Sequence, residues 1–175
     1  MIDLFKSYLK KFFLGLVYKN KLKNRPKKKF IKFSNKSPSV FVIVDSRLNM
    51  NLNDFKFIAD IFLISDQSIR FLWYKSPILH DHLSHMRIDN FDISFTGKVS
   101  KDFDLFFDDK YDLLINVYKK NSIIMKTLSL KVKHDFSIGF TPVDSELNDI
   151  VFDFNPQNIK VFGDELSKYL KIISK

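Results

Sequence analysis

Pro38-Ser39-Val40-Phe41-Val42-Ile43-Val44-Asp45 decides the fold. Five apolar residues in a row, four of them β-branched, sit between a proline and an acid. A helix stripe would space them three and four apart, and a half-exposed strand would alternate. An unbroken β-branched run is how a strand covered on both faces reads, and such strands belong to parallel sheets. The neighbours agree. Leu52, Phe55, Ile58, Ala59, Phe62 and Leu63 recur at helical spacing over 51–64, with Asn51 or Asn53 placed to cap the helix. Ile69-Arg70-Phe71-Leu72-Trp73-Tyr74 then reads as a second strand.

Downstream the alternation continues. Phe91–Phe95 alternates as a third strand, after a polar stretch at 75–89, and 100–109 reads as a short helix. Strands follow at 111–117, 136–140 and 149–154, with helices at 121–132 and 157–173. The prediction is an α/β fold: a single three-layer Rossmann-like domain over 37–175, with a mostly parallel sheet.

Upstream the chain changes character. Of the 175 residues, 29 are Lys or Arg and 20 are Asp or Glu, a net charge of +9. Residues 1–36 hold 12 of the bases and one acid, Asp3. The remaining 17 bases face 19 acids, so the body is close to neutral. Lys outnumbers Arg 25 to 4, and a single Ala stands against 20 Phe, a bias that codon drift alone produces. Drift acts evenly along a chain, so the asymmetry carries more weight than the total.

Residues 3–24 read as a helix ended by Pro26. Phe5, Tyr8, Leu9, Phe12, Phe13, Leu16 and Val17 form its apolar stripe. The apolar core Phe12–Val17 is too short for a secretory signal, and no run approaches the roughly 18 residues of a membrane span. The candidate anion-binding residues are Lys6, Lys10, Lys11, Lys19, Lys21, Lys23, Arg25, Lys27, Lys28, Lys29 and Lys32. They suit RNA phosphates, or anionic lipid with the rings sunk in the interface. The plainer alternative is a helix whose stripe packs on the body.

Other chemistry is thin. Zero Cys excludes disulfides and thiolate chemistry. No G-x-G-x-x-G, P-loop or G-x-S-x-G occurs, and Asp45–Asn49 contains no Gly, so neither a dinucleotide nor ATP is expected, nor any other cofactor. Asp45 and Asn116, at strand ends, mark the place where such sheets bind ligands. For Asp45 a turn or capping role is the favoured reading. His80, His82 and His85 form the one His cluster, but in a loop that favours no metal. Asp102-Phe103-Asp104 spells the D-x-D of sugar transferases, yet Asp108 and Asp109 extend it into an acidic helix face.

Phe95-Thr96-Gly97-Lys98, Tyr111–Asn116, Phe136–Phe140 and Phe162–Leu170 resemble a group of short uncharacterised proteins of Bacteroidota that begin with a basic helix. That resemblance implies a fold and no activity. The Asp112-Leu113-Leu114-Ile115-Asn116 strand, a helix and a strand ending in Gly139-Phe140 are also similar to the N-terminal half of heptosyltransferase-type glycosyltransferases. Those enzymes bind the sugar nucleotide largely through a second domain, which this length does not accommodate. The expectation is therefore a non-enzymatic binding module, its arm (1–36) engaging RNA or a ribonucleoprotein assembly. The alternatives are a peripheral protein on the cytoplasmic membrane face, held by the same helix, and a degenerate transferase. A cytoplasmic location is expected under each.

Overall fold

The computed structural model describes residues 2–25, 37–77, 84–119, 122–143 and 145–173. Strand β1 (Val40–Asp45) is buried at every position, as its unbroken apolar run requires. It lies between β2 (Ile69–Tyr74) and β4 (Lys110–Val117), parallel to both. β3 (His85–Ile88) extends the sheet beyond β2, while β5 (Lys133–Phe140) and β6 (Ile150–Phe152) extend it beyond β4. The six strands run in the order 3-2-1-4-5-6, all parallel. This is the strand order of a doubly wound, Rossmann-like sheet, with its switch point between β1 and β4.

Each face carries its own core. On one side Val40, Val42 and Val44 meet α2 (Lys56–Phe62) and α5 (Ile159–Ile173), with Phe55, Phe140, Phe152 and Phe162 filling the layer. On the other, Phe41, Ile43, Leu72 and Leu114 meet α1 (Ile2–Lys23), α3 (Asp104–Phe107) and α4 (Ile123–Ser129). Two Ser–Asp pairs tie strand entrances together. Ser39 donates from backbone and hydroxyl to Asp112 Oδ2, both at 2.8 Å. Ser137 does the same to Asp149 Oδ2, at 2.7 and 2.8 Å.

Most elements lie where the sequence places them, and the third strand does not. Residues 91–95 alternate, yet β3 is His85–Ile88, within the stretch read as polar loop. Four parallel partners on β2, Phe71 to Tyr74, hold it, and Ile88 is fully buried. The Asp89 N–H donates to Asp92 Oδ2 at 2.7 Å and winds Asn90–Asp92 into a 3₁₀ turn. Phe91 is thereby left 97% exposed, and Ile93 makes one isolated antiparallel bridge to Val99. The 51–64 helix is likewise shorter than its spacing suggests. A 3₁₀ turn at Leu52–Phe55, capped by Asn51, precedes α2, which ends at Leu63 in the left-handed region, φ 53°.

The basic arm, set apart at 1–36 by its charge, is not apart in packing. Its helix α1 lies against α4, with Leu14 and Tyr18 buried in the core. Gly97 lets the backbone of its own turn come close to both helices. It sits at φ +76°, and a Cβ there would lie 3.2 Å from Thr127 on α4 and 3.5 Å from Val17 on α1. Lys27, Lys28, Lys29 and Lys32 lie outside the described residues.

Candidate functional site

The switch point is the first place to look for chemistry. Asp45 closes β1 there and is buried. Its Oδ1 accepts from Arg47 Nε at 2.7 Å and from the Arg47 backbone N–H at 3.1 Å, and its Oδ2 accepts from Arg47 Nη2 at 2.7 Å. The fork occupies both oxygens, and the carboxylate in turn holds the guanidinium more firmly protonated. The same guanidinium lies 5.5 Å from the centre of the Tyr74 ring. The Tyr74 hydroxyl donates to Asn90 Oδ1 at 2.5 Å, and burial pushes its pKa up against the opposing pull of Arg47. Asp45 thus caps a turn and is neutralised within it.

Asn116 belongs to a different environment. It pairs in register with Ile43, two residues below Asp45, and is fully buried. Its Nδ2 donates to Asn148 Oδ1 at 2.7 Å, and its Oδ1 accepts from Ser129 at 2.7 Å. The Tyr118 hydroxyl lies 2.9 Å from Ser129 Oγ. Gly139 leaves the room this network needs, since a Cβ there would stand 2.2 Å from Asn148 Nδ2. This buried network fixes how β4, α4 and the 145–149 loop fit together, and it leaves Asn148 Nδ2 buried with no partner among the described residues. Asp45 and Asn116 share no hydrogen-bond partner: Arg47 holds the first, and Asn148 and Ser129 hold the second.

The other spelled motifs disperse. Phe103 is buried, while Asp102 and Asp104 face solvent on either side of it. His85 lies on β3 against the Phe71 ring, at 5.2 Å between centroids, and His80 and His82 lie outside the described residues. His134 is the second residue of β5, with its Nδ1 2.7 Å from the Val132 carbonyl. Among the described residues no group of three or more His, Asp or Glu could hold a metal ion.

α1 is the other candidate, and its residues have two fates. Leu14 and Tyr18 go inward. Phe5, Tyr8, Phe12 and Leu16 go outward, at 64%, 70%, 55% and 53% exposure. At 3.6 residues per turn these four share an arc roughly opposite Leu14 and Tyr18. Leu4 and Phe13 extend the arc, and Phe13 meets Phe95 edge-to-face, with centroids 6.4 Å apart. Lys6 and Lys11 flank it on its two sides, and Lys19 and Lys23 follow it toward the helix end. Exposed apolar patches of this kind mark interaction surfaces in folded proteins.

The remaining basic residues are partly committed inward. Lys10 donates to the Asn90 carbonyl, and burial lowers its pKa, with Asp92 offsetting part of the shift. Arg25 donates to the Leu147 and Glu146 carbonyls at 2.6 and 3.1 Å and lies 3.0 Å from His134 Nε2. It ties the end of α1 to the body. Lys21 is exposed and depresses the pKa of Lys131 from across the helix, after the larger effect of Lys131's own burial. Two features escape the sequence reading. Phe91 is exposed because Asp89 and Asp92 stand three apart, a turn signal present in the chain. Lys126 is buried on α4, its ammonium 4.6 Å from the centre of the Tyr18 ring, and nothing in its surroundings in sequence signals this.

A family model matches residues 10–173, nearly the whole chain, from within α1 to the end of α5. The chain belongs to DUF6913, a family of unknown function. No curated protein and no solved structure matches it. The family match takes in most of α1 together with the sheet, as the packing of Leu14 and Tyr18 requires of one folded unit.

Proposed function

We propose that this DUF6913 protein is a non-enzymatic peripheral module that lays the outer face of α1 on an anionic membrane interface. The observation that carries this reading is the exposed arc Phe5, Tyr8, Phe12 and Leu16, opposite the face that packs on α4 and bordered by Lys6 and Lys11. Aromatic rings and leucines enter the headgroup boundary, and lysines beside them meet anionic lipid, each contributing about 1 kcal/mol. Among the described residues no helix is long and apolar enough to cross a membrane, so the contact is one of lying on the surface.

RNA is the competing partner, and one observation weighs against it. Arg25, the one arginine of the first 36 residues, spends its guanidinium on Leu147, Glu146 and His134. Arginine supplies the planar fork and the stacking plane that RNA recognition uses most. Transferase ancestry finds little support in Asp45, whose two oxygens are both held by Arg47.

The test is co-sedimentation of the full chain with phosphatidylcholine vesicles, with and without phosphatidylglycerol, beside an assay of RNA retained on purification at low salt. Vesicle binding that needs phosphatidylglycerol is expected. Replacing Lys6 and Lys11 with Gln should weaken it about 30-fold. Retention of RNA without vesicle binding would replace this reading with the ribonucleoprotein one.

A further inference from the structure

The segment after β3 carries three apolar residues at alternate positions, Phe91, Ile93 and Phe95. On a strand all three would share one face. Here two turns part them. Asn90–Asp92 is a 3₁₀ turn, and 94–98 closes tightly between Ile93 and Val99, which make an antiparallel bridge. Ile93 goes into the core, at 1% exposure, while the rings of Phe91 and Phe95 stand out at 97% and 45%. Each turn is held by bonds of its own. The Asp89 N–H donates to Asp92 Oδ2 at 2.7 Å. In the second turn the Ser94 N–H donates to the Lys98 carbonyl at 2.7 Å, the Gly97 N–H to the Ser94 carbonyl at 3.1 Å, and the Lys98 N–H to Ser94 Oγ at 2.9 Å. Turns closed in this way present a ring without the ordering cost that a loose loop would carry on binding.

Both turns adjoin the outer face of α1. Phe95 meets Phe13 edge-to-face, and Phe13 meets Phe12 in the same way, with centroids 5.8 Å apart. Gly97 seats the second turn against Val17 and Leu14. Lys10 donates to the Asn90 carbonyl, one residue from Phe91. The two acids around Phe91 are engaged locally. Asp89 Oδ2 accepts from Arg87 Nε at 3.0 Å and from Arg87 Nη2 at 2.5 Å. Asp92 holds the Asp89 N–H and attracts the Lys10 ammonium. Lys98 is exposed at the end of the second turn.

We infer that 90–98 is a second membrane anchor, in which Phe91 and Phe95 enter the same anionic bilayer interface as the outer face of α1 and Lys98 meets its lipid phosphates. Rings held out at the tips of turns, with a lysine beside them, suit a boundary that is apolar below and anionic above. A single helix lying on a bilayer can roll about its axis. A second contact on another element fixes which way the sheet faces. The inference rests on the membrane reading of α1 and adds a contact which that reading does not need.

The experiment measures co-sedimentation of full-length variants with phosphatidylcholine vesicles carrying phosphatidylglycerol. Phe91→Ser should bind about tenfold more weakly than wild type, and Phe95→Ser about threefold, following the ring surface each has left to bury. Phe91→Ser should leave the urea midpoint unchanged, since its ring touches little of the fold. Phe91→Trp should bind at least as well as wild type. On vesicles its added emission should shift to the blue and be quenched by phosphatidylcholine brominated on its chains, above a constant signal from the buried Trp73. If Phe91→Ser and Phe95→Ser bind as wild type does while Phe12→Ser loses binding, the second anchor is refuted and the α1 reading stands. If wild type binds no vesicles, both readings fail, and a concentration-dependent dimer that Phe91→Ser breaks would assign these rings to a second copy of the chain.

Discussion

Leu14 and Leu16 stand two residues apart on one helix and should behave as different kinds of residue. Leu14 is fully buried against the core that includes Tyr18, Tyr74 and Met125, and Leu16 is 53% exposed. Leu14→Ala deletes a buried isobutyl group where α1 packs on the core, and a loss of about 2–5 kcal/mol is expected. Leu16→Ala opens no cavity, and its effect on stability should stay within about 0.5 kcal/mol. The order reverses at a membrane. Fully burying a leucine is worth roughly 1.5–3 kcal/mol, and about half of Leu16 remains to be buried, so its truncation should weaken vesicle partitioning by about 1 kcal/mol, or about fivefold. Urea unfolding followed by the fluorescence of Trp73, the single tryptophan and a core residue, measures the first quantity. Vesicle co-sedimentation measures the second. Equal stability losses for the two variants would refute the docking of α1 on α4. An unchanged partition coefficient for Leu16→Ala would refute the role of the outer face.

Two further outcomes follow from the interior. Asn116→Ala removes the donor to Asn148 and the acceptor from Ser129, and should cost about 3 kcal/mol; a double-mutant cycle with Asn148→Ala should show coupling above about 0.5 kcal/mol, where simple additivity would mean the amide pair contributes nothing. Burial raises the Tyr74 pKa above its unfolded value of 10.0, so the unfolded chain ionises first and the native state holds more protons. Its contribution is therefore fully present below 10.0 and is lost as pH rises through the folded value; Tyr74→Phe should flatten that alkaline loss in urea midpoints, and an unchanged slope would place Tyr74 in contact with solvent.

How far the chain could be read depends on the range of the forces involved. The runs at 40–44, 69–74 and 111–117 were legible because burial on both faces demands apolar residues at consecutive positions, a signal local to the strand. β3 was not. Its His85-Met86-Arg87-Ile88 has only one fully buried residue and is a strand because β2 offers it a parallel edge. Asp45 and Asn116 were legible as strand-end polar residues, but their roles lie in Arg47 and in Asn148 with Ser129. The charge asymmetry between 1–36 and the rest was plain in the composition, yet charge says nothing of where a helix packs.

The sequence by itself determined the class of fold, the absence of glycine-rich phosphate loops and of thiol chemistry, and the basic, aromatic character of the first helix. Each of these follows from local composition and periodicity. The tertiary structure decided which face of that helix is spent on the core. Periodicity places Phe12 and Leu16 in the apolar stripe of α1 and leaves out Leu14 and Tyr18, whereas the surface that α4 and Gly97 present buries Leu14 and Tyr18 and leaves Phe12 and Leu16 exposed. It also decided that Lys126 lies under Tyr18 and that Arg25 turns inward. Those pairings join residues about 110 to 120 positions apart, and such contacts exist only once the sheet has brought its two ends together.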